Sequence, residues 1–321
     1  MRRFDVCNGD ADGLCAVLQW RLNEPVEATL VTGLKREIAL LQRVPCDAAD
    51  EVLVCDLSLQ RNRVALQQLL EAGVRVRYFD HHAAGDVPQH AGLEAHLDFD
   101  SAVCTSLLMD RHLGGRFRGW ALVGAYGDDL VTVADGLATA AGFDIAQRAG
   151  LRRLGQAINY NAYGEEQADV FIAPERLYRI LARWPDPLAL LAHEPIVDAL
   201  DDRRQADLSQ ALALAPHWQN ERASVVLLPD APWSRRVSGC LANELASARP
   251  QQAQAVLRHQ RSGALTVSVR APRATPSGAD ELCAAFGGSG RAAAAGIDAL
   301  PPQQLDPFIQ AFSAAPWGRA P

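Results

Sequence analysis

Four short stretches of this 321-residue sequence place acidic and imidazole side chains where they can do chemistry. CNGDADGLCA puts Asp10 and Asp12 one residue apart, just after an apolar start at Phe4 and Val6. EVLVCDLS supplies Asp56, VRVRYFDHH supplies Asp80, His81 and His82, and WALVGAYGDD supplies Asp128 and Asp129. Taken singly, each has a plain structural explanation. An Asp at a strand-to-helix turn ordinarily caps the helix by accepting from its free amides, and two adjacent histidines can be a structural pair. Together the four clusters exceed what capping requires. Each follows an apolar run that predicts a strand, and in a parallel sheet such strand ends converge on one rim. Carboxylates gathered there repel one another unless a cation sits among them. Carboxylate oxygens with one or two imidazoles suit Mn²⁺ or Mg²⁺ better than thiolate-seeking metals. The ligands outnumber the needs of one ion, which predicts two ions about 3.5–4 Å apart.

The elements that must position these groups follow from periodicity. Phe4–Cys7, Ala28–Val31, Val52–Cys55 and Val74–Phe79 read as buried strands, with Leu14–Leu22, Arg36–Gln42 and Arg61–Leu70 as helices between them. This alternation predicts an α/β fold with a parallel sheet covered on both faces, whose ligands bind beyond the carboxyl ends of the strands. A largely helical extension follows from Cys104 to about Trp218. It includes INYNAYG, a loop or helix end, and a helix broken at Pro185 in LYRILARWPDPLALLAHE. The polar-faced stretch DDRRQADLSQALALAPHWQNERA is the expected connector. A second, smaller α/β unit then has strands at Ser224–Leu228, Ala255–Arg258 and Leu265–Arg270 and a helix at Val237–Ala246. A glycine-rich turn at FGGSGR and a closing helix in PPQQLDPFIQAF complete it. The expected organisation is a domain over 1–200, a helical linker over 201–222 and a second domain over 223–321, with a cleft between the two.

Composition narrows the function classes. No apolar run reaches the ~18 residues of a membrane span, and the N-terminus lacks the pattern of a signal peptide. Seven scattered cysteines, never in a CxxC pair, predict reduced thiols in a cytoplasm and argue against a zinc-thiolate site. Cys7, Cys55 and Cys104 fall near the expected metal rim, where they read more readily as buried filler than as redox sensors. The net charge of −7 is unevenly spread. Residues 215–321 carry ten arginines against seven acidic residues, about +3, whereas 1–214 carry 21 basic and 31 acidic residues, about −10. Tight binding to long nucleic acid calls for an extended basic surface, which this composition does not supply. An acidic half and a mildly basic half suit metal ions on one side and a small anion on the other. Basic residues are almost all arginine, with Lys35 the only lysine, which reads as compositional bias rather than function.

NGDADG, VCDLS, FDHH and GAYGDD, in this order, resemble the four signature motifs of the DHH phosphoesterase superfamily. VSVRAP followed by GGSGRAAAAG resembles that family's associated substrate-binding domain, so the resemblance runs from residue 8 to residue 296. The resemblance implies that Asp10 and Asp12 each bind one of two manganese ions, with Mg²⁺ a possible substitute, and that Asp56 bridges them. It implies that His81 and Asp128 complete the second ion's shell, with Asp129 the weaker member of its pair. His82 is implied to face the substrate or the leaving oxygen, and Asp80 to hold an imidazole tautomer. Arg270 and the segment Gly287, Gly288, Ser289, Gly290 and Arg291 are implied to grip the non-reacting end of the substrate.

Two positions depart from the family pattern. Val6 stands where pyrophosphatase-like branches carry a metal-binding His, leaving the first ion fewer ligands, with Asn8 as a candidate helper. Arg291 stands where the associated domain usually has His, and an arginine grips phosphate in bidentate fashion. GGSGR also fits a GxGxxA turn, but too little chain follows for a dinucleotide-cofactor unit, and it has no Gly-Lys-Ser/Thr. Arg203–Arg204 and Arg235–Arg236 read as solvated faces, although the second pair, at a helix start, is placed to meet substrate.

The expected activity is manganese-dependent hydrolysis of short linear oligoribonucleotides by in-line water attack at two metals, with 5′-phosphorylated dinucleotides such as pGpG first. Alternatives are a phosphatase acting on 3′-phosphoadenosine 5′-phosphate, a cyclic-dinucleotide phosphodiesterase, and a non-catalytic nucleotide sensor. The expected partner is a small nucleotide of two to a few residues, with no long nucleic acid and no membrane, on a cytoplasmic monomer or homodimer.

Overall fold

RFDVCN forms β1 (Arg3–Asn8), whose last four residues are buried, and the chain turns at once into α1 (Ala11–Asn23) in this computed structural model, which describes residues 1–317. Ala11 through Trp20 are all buried, so α1 is a central helix rather than a surface helix with one apolar stripe. Its first turn lies so close to β1 that a Cβ on Gly13 would sit 2.4 Å from the Asn8 carbonyl oxygen, which only glycine permits. β2 (Thr29–Gly33), β3 (Glu51–Cys55), α2 (Leu59–Glu71), β4 (Arg75–Asp80) and β5 (Leu93–Leu97) complete an all-parallel sheet of order β2-β1-β3-β4-β5. Period-two alternation sends Val6, Val54 and Tyr78 to the face covered by α2, through Leu59, Leu66 and Leu69. Their neighbours Cys7, Cys55 and Phe79 go to the α1 face. The register sets Cys7 opposite Cys55 and Cys55 opposite Phe79. Asp56 and Asp80 therefore emerge side by side at the carboxyl edge.

The extension comprises α3 (Thr105–His112), α4 (Arg118–Gly127), α5 (Val131–Ala140), α6 (Ile145–Ala162), α7 (Pro174–Leu181), α8 (Pro187–His193) and α9 (Ile196–Leu212). α3, α4 and α6 join α1 in one core through Leu107, Met109, Trp120, Leu122, Leu154 and Ile158. The chain divides into two compact units at Asp202/Arg203, within α9.

Three local readings are corrected. WALVGAYG is not a strand but most of α4, because Ala, Leu and Gly carry no β-branched bias and length alone does not separate buried strand from buried helix. Asp128 is accordingly the C-cap of a helix. Arg36–Gln42 is not a helix. Apart from one 3₁₀ turn at Leu41–Arg43 it is irregular, its backbone satisfied by side chains. Glu37 accepts from the Leu34 amide, while Asn62 accepts from the Leu41 amide and donates to the Ile38 carbonyl. β5 has no counterpart among the expected strands, because LEAHL is a partly exposed edge with polar residues in every second place.

In the second unit, β6 (Trp218–Gln219), β7 (Ala223–Leu228), α10 (Pro232–Ala248), β8 (Ala253–His259), β9 (Leu265–Arg270), α11 (Ala279–Ala284), β10 (Ser289–Arg291), β11 (Ala294–Leu300) and α12 (Leu305–Ala314) follow in order. They build a mixed sheet of order β10-β11-β9-β8-β7-β6, parallel only between β7 and β8. Val225, Leu257 and Val267 pack with Phe308 and Phe312 of α12, and Val226 and Val256 pack with Val237 and Leu241 of α10. Arg235 and Arg236 are not solvated: both are buried, Arg235 paired with Asp230 and Arg236 with Asp207 at 2.8 Å. Arg204 is also buried. The last part of FGGSGR is not turn but the edge strand β10. No helix among the described residues is long and apolar enough to cross a membrane.

Candidate metal centre

Asp10, Asp12, Asp56, His81 and Asp128 all come to the carboxyl edge of the parallel sheet, on the α1 side. Asp10 is the N-cap of α1, and its Oδ1 accepts from the Gly13 amide at 3.1 Å. Its Oδ2 forms an ion pair with Lys35, which lies in the turn after β2. The capping role that the turn predicts is therefore real, and it occupies only one of the two oxygens. Asp12, in the first turn of α1, is held by the start of α3: Oδ2 accepts from the Thr105 amide and Oδ1 from the Ser106 amide, both at 2.7 Å. A helix N-terminus is a natural cradle for a carboxylate.

Asp56 follows β3 with φ 59°, a left-handed conformation that Asp tolerates and that turns its carboxylate into the cluster. The Thr105 hydroxyl donates to its Oδ1 at 3.3 Å, and His81 Nε2 lies 3.4 Å from the same oxygen and 3.9 Å from Asp12 Oδ2. His81 Nδ1 points to the Val103 carbonyl at 3.0 Å, which makes Nδ1 the donor and turns Nε2 toward the carboxylates. His82 Nδ1 lies 2.8 Å from Asp80 Oδ1 and 3.8 Å from Asp56 Oδ1. His82 is 48% exposed, whereas Asp80 is fully buried with no hydrogen-bond partner for Oδ2.

The charges are out of balance. Burial, the coulombic fields of Asp10 and Asp12 and only partial relief from His81 push the Asp56 carboxyl well above the usual carboxylate range. Burial also raises Asp128, against the pull of His81 and Lys35. As a helix C-cap, Asp128 further sits at the negative end of the α4 dipole. His81 resists burial and is raised to about 10 by the Asp56 and Asp12 carboxylates. Asp10 behaves oppositely: burial would raise it, but the Lys35 ammonium, the Gly13 amide and Asp56 hold it below its ordinary value.

These residues fit a divalent cation. Carboxylates whose proton affinity is raised by burial and mutual repulsion, and an imidazole whose Nε2 faces them, are what a hard or borderline ion relieves. Asp12, Asp56, His81 and Asp128 would hold it. Val6 is fully buried, and Asn8 spends its amide on the Lys35 carbonyl and its oxygen on the Asp10 amide. Asn8 is thus not turned toward the cluster as the helper proposed for the first ion. Sequence reasoning also passed over Lys35 itself. A solitary lysine in a chain otherwise using arginine was the available signal. Thr105 and Ser106 carry no such signal, because they act largely through backbone amides.

The C-terminal candidates lie on β9, in the turn before β10 and in β10 itself. Arg270 donates from Nε to Asn243 Oδ1 at 2.7 Å and from Nη1 to its own neighbour's carbonyl at 3.0 Å. Gly287 has φ 76° and Gly290 φ 151°. A Cβ on Gly288 would sit 2.2 Å from the Gly296 carbonyl oxygen, so the glycines are already required by the turn and its packing against β11. Ser289, Gly290 and Arg291 are exposed. Cys7, Cys55 and Cys104 are buried, and burial raises each thiol well above its ordinary range, which leaves them inert packing groups.

A parallel sheet with this rim, a helical extension and a second mixed-sheet unit make up a fold shared with solved structures of manganese-bound RecJ exonucleases and of a pGpG-specific phosphodiesterase. Among solved structures, the chain is similar to an exonuclease RecJ bound to manganese, with TM-score 0.63 and 22% identity over 98% of this chain and 89% of that one. It is similar to RecJ in complex with Mn²⁺ from Thermus thermophilus, with TM-score 0.65 and 21% identity over 98% of this chain and 51% of that one. It is also similar to PggH, a pGpG-specific phosphodiesterase from Vibrio cholerae, with TM-score 0.55 and 13% identity over 98% of this chain and 100% of that one. No family model and no curated protein matches the sequence.

Proposed function

We propose that this protein is a manganese-dependent phosphodiesterase that hydrolyses short linear oligoribonucleotides, 5′-phosphorylated dinucleotides such as pGpG first, to mononucleotides. The observation that carries the reading is the clustering of Asp12, Asp56, His81 and Asp128, with raised proton affinities at the last three and one imidazole to offset the carboxylates. The likeness to PggH, which spans that whole chain, supports a dinucleotide as substrate, and the acidic composition of residues 1–214 disfavours long strands.

A divalent cation at this rim supplies a Lewis acid for the phosphoryl oxygens and an activated water. The protein's own groups do the rest. Asp12 and His81 reach the rim in fixed orientations, because two amides grip one and the Val103 carbonyl the other. Asp80 Oδ1 accepts from Nδ1 of His82 and so holds the ring in one orientation. Nε2 of the exposed His82 is then the proton donor for the leaving ribose oxygen. Arg270 and the amides and guanidinium of Gly287, Gly288, Ser289, Gly290 and Arg291 bind the substrate's non-reacting end, and that binding places the scissile bond. Asp10 serves a second ion only where Lys35 gives way.

The test is a series of 5′-phosphorylated linear oligoribonucleotides of two to about eight residues, with cyclic dinucleotides and 3′,5′-bisphosphates, incubated with Mn²⁺. A steep fall of kcat/KM with length and mononucleotide products are expected. Equal rates at all lengths remove the end-grip, release of inorganic phosphate or opening of the cyclic substrates replaces the substrate, and cleavage of none leaves a nucleotide sensor.

A further inference from the structure

Glu94, His96 and His112 form a second cluster of metal-ligating groups, at the β5 edge of the parallel sheet on its α1 face. Their donor atoms all lie within 4.8 Å of one another. Glu94 and His96 are two apart on the edge strand β5 and so share a face, and His112 is the last residue of α3, above that face. The imidazoles are held by packing. His96 stacks on Phe79 with centroids 4.4 Å apart and planes at 11°. His112 stands edge-on to both rings, 5.1 Å from Phe79 and 4.7 Å from His96. Glu94 is oriented from behind, its Oε2 accepting from Arg77 Nε at 2.7 Å while Oε1 meets His96 Nε2 at 2.7 Å. Glu94 and His112 are exposed and His96 is half-buried, so an ion and a water can reach the three.

We propose that Glu94, His96 and His112 bind a divalent transition ion of the zinc type, with water as fourth ligand. Two imidazoles and one carboxylate are a zinc donor set, whereas the carboxylate-rich rim suits Mn²⁺ or Mg²⁺. Ligand atoms of a tetrahedral site lie roughly 3.3 Å apart, so the Glu94–His96 contact opens by well under ~1 Å to admit the ion. Arg77 opposes a cation by its charge, but it bonds to the outer oxygen of Glu94 and stacks over Trp20 at 4.4 Å, as a supporting group behind a ligand does. The ion would tie the C-terminal end of α3 to β5. The other end of α3 supplies the two amides that hold Asp12, so the site acts as a strut for the rim.

The test is titration of the full-length protein with Co²⁺ as a zinc surrogate, in excess Mg²⁺ to occupy the rim. The visible absorption of four-coordinate cobalt and its displacement by Zn²⁺ are followed, and thermal unfolding is recorded with and without Zn²⁺. One equivalent with the four-coordinate spectrum is expected. His112→Ala and, as the gentler change, Glu94→Gln should weaken it at least ~10-fold and abolish the rise in Tm caused by Zn²⁺, while Asp56→Asn should keep both. A wild-type spectrum and affinity in His112→Ala and Glu94→Gln, or their loss in Asp56→Asn alone, would overturn the proposal. So would the absence of any cobalt band in the wild type, which would leave the trio a hydrogen-bonded network.

Discussion

Lys35 and Asp10 form an ion pair at the start of α1, and the ammonium also donates to Asn159 Oδ1 at 3.3 Å. Burial opposes the charge on Lys35, but Asp10 and its neighbours hold that charge firmly. The pair gives Asp10 an ammonium in direct contact, whereas Asp12 and Asp56 share the single His81 imidazole, so the rim is electrostatically uneven. Lys35→Met should therefore raise the affinity or stoichiometry of Mn²⁺ binding, because it removes a competing cation from a carboxylate ligand. It should also destabilise the metal-free protein by about 1–3 kcal/mol, less than a fully buried pair costs, because the Lys35 side chain is 29% exposed. Calorimetric titration with Mn²⁺ and urea unfolding check the two halves; unchanged metal binding would show that Lys35 does not compete.

Proton release should accompany metal binding. In the metal-free protein His81 holds its proton to about 10, against an ordinary value of 6.5, and Asp56 also binds a proton more tightly than an unfolded chain does. The folded state thus carries more bound protons than the unfolded state. The stability from His81 is complete below about 6.5 and is lost as pH rises through about 10, and the Asp56 contribution declines in the same direction. Tm of the metal-free protein should fall as pH rises across that window, and Mn²⁺ affinity should climb. Calorimetry in buffers of different ionisation enthalpy counts the protons; a heat independent of buffer would contradict the electrostatic reading.

Asp80 and His82 should separate from the metal ligands in kinetics. His82→Ala is expected to lower kcat about 10²–10⁴-fold, the usual contribution of a positioned proton donor, with Mn²⁺ binding retained. Asp80→Asn keeps an acceptor oxygen for Nδ1 at 2.8 Å but removes its charge, and should lower kcat with Mn²⁺ binding retained. An unchanged kcat would reduce Asp80 to a structural group.

Gly124 of α4 tests the cradle of Asp12. A Cβ there would sit 2.2 Å from Ser106 Oγ and 3.3 Å from Asp12 Oδ1. Gly124→Ala should push Ser106 from its place, cost about 1–3 kcal/mol as overpacking and weaken Mn²⁺ binding. Chemical denaturation with a parallel metal titration measures both, and wild-type metal affinity in a destabilised variant would show that the Ser106 amide is dispensable.

The parallel sheet was legible in the sequence because Val6/Cys7, Val54/Cys55 and Tyr78/Phe79 are apolar on both faces, and because short apolar runs end at Asp56 and Asp80. Asp128 was legible as a candidate by its motif, but not its setting: a buried run of Ala, Leu and Gly reads equally as strand or helix, and α4 proved to be a helix. Lys35 and the Thr105 and Ser106 amides were not legible. They arrive at the rim only through tertiary packing of an irregular turn and of the start of α3, and backbone amides leave no trace in residue identity. The Arg235–Arg236 pair failed for a related reason, since its charges are neutralised by Asp230 and Asp207 from neighbouring segments.

The most direct measurement is anomalous diffraction at the manganese edge from a crystal soaked in Mn²⁺. A peak within bonding distance of Asp12, Asp56, His81 and Asp128 is predicted, absent in Asp56→Ala. A rim without a peak in the wild type, with Asp56 and His81 still in contact with each other, would contradict the account.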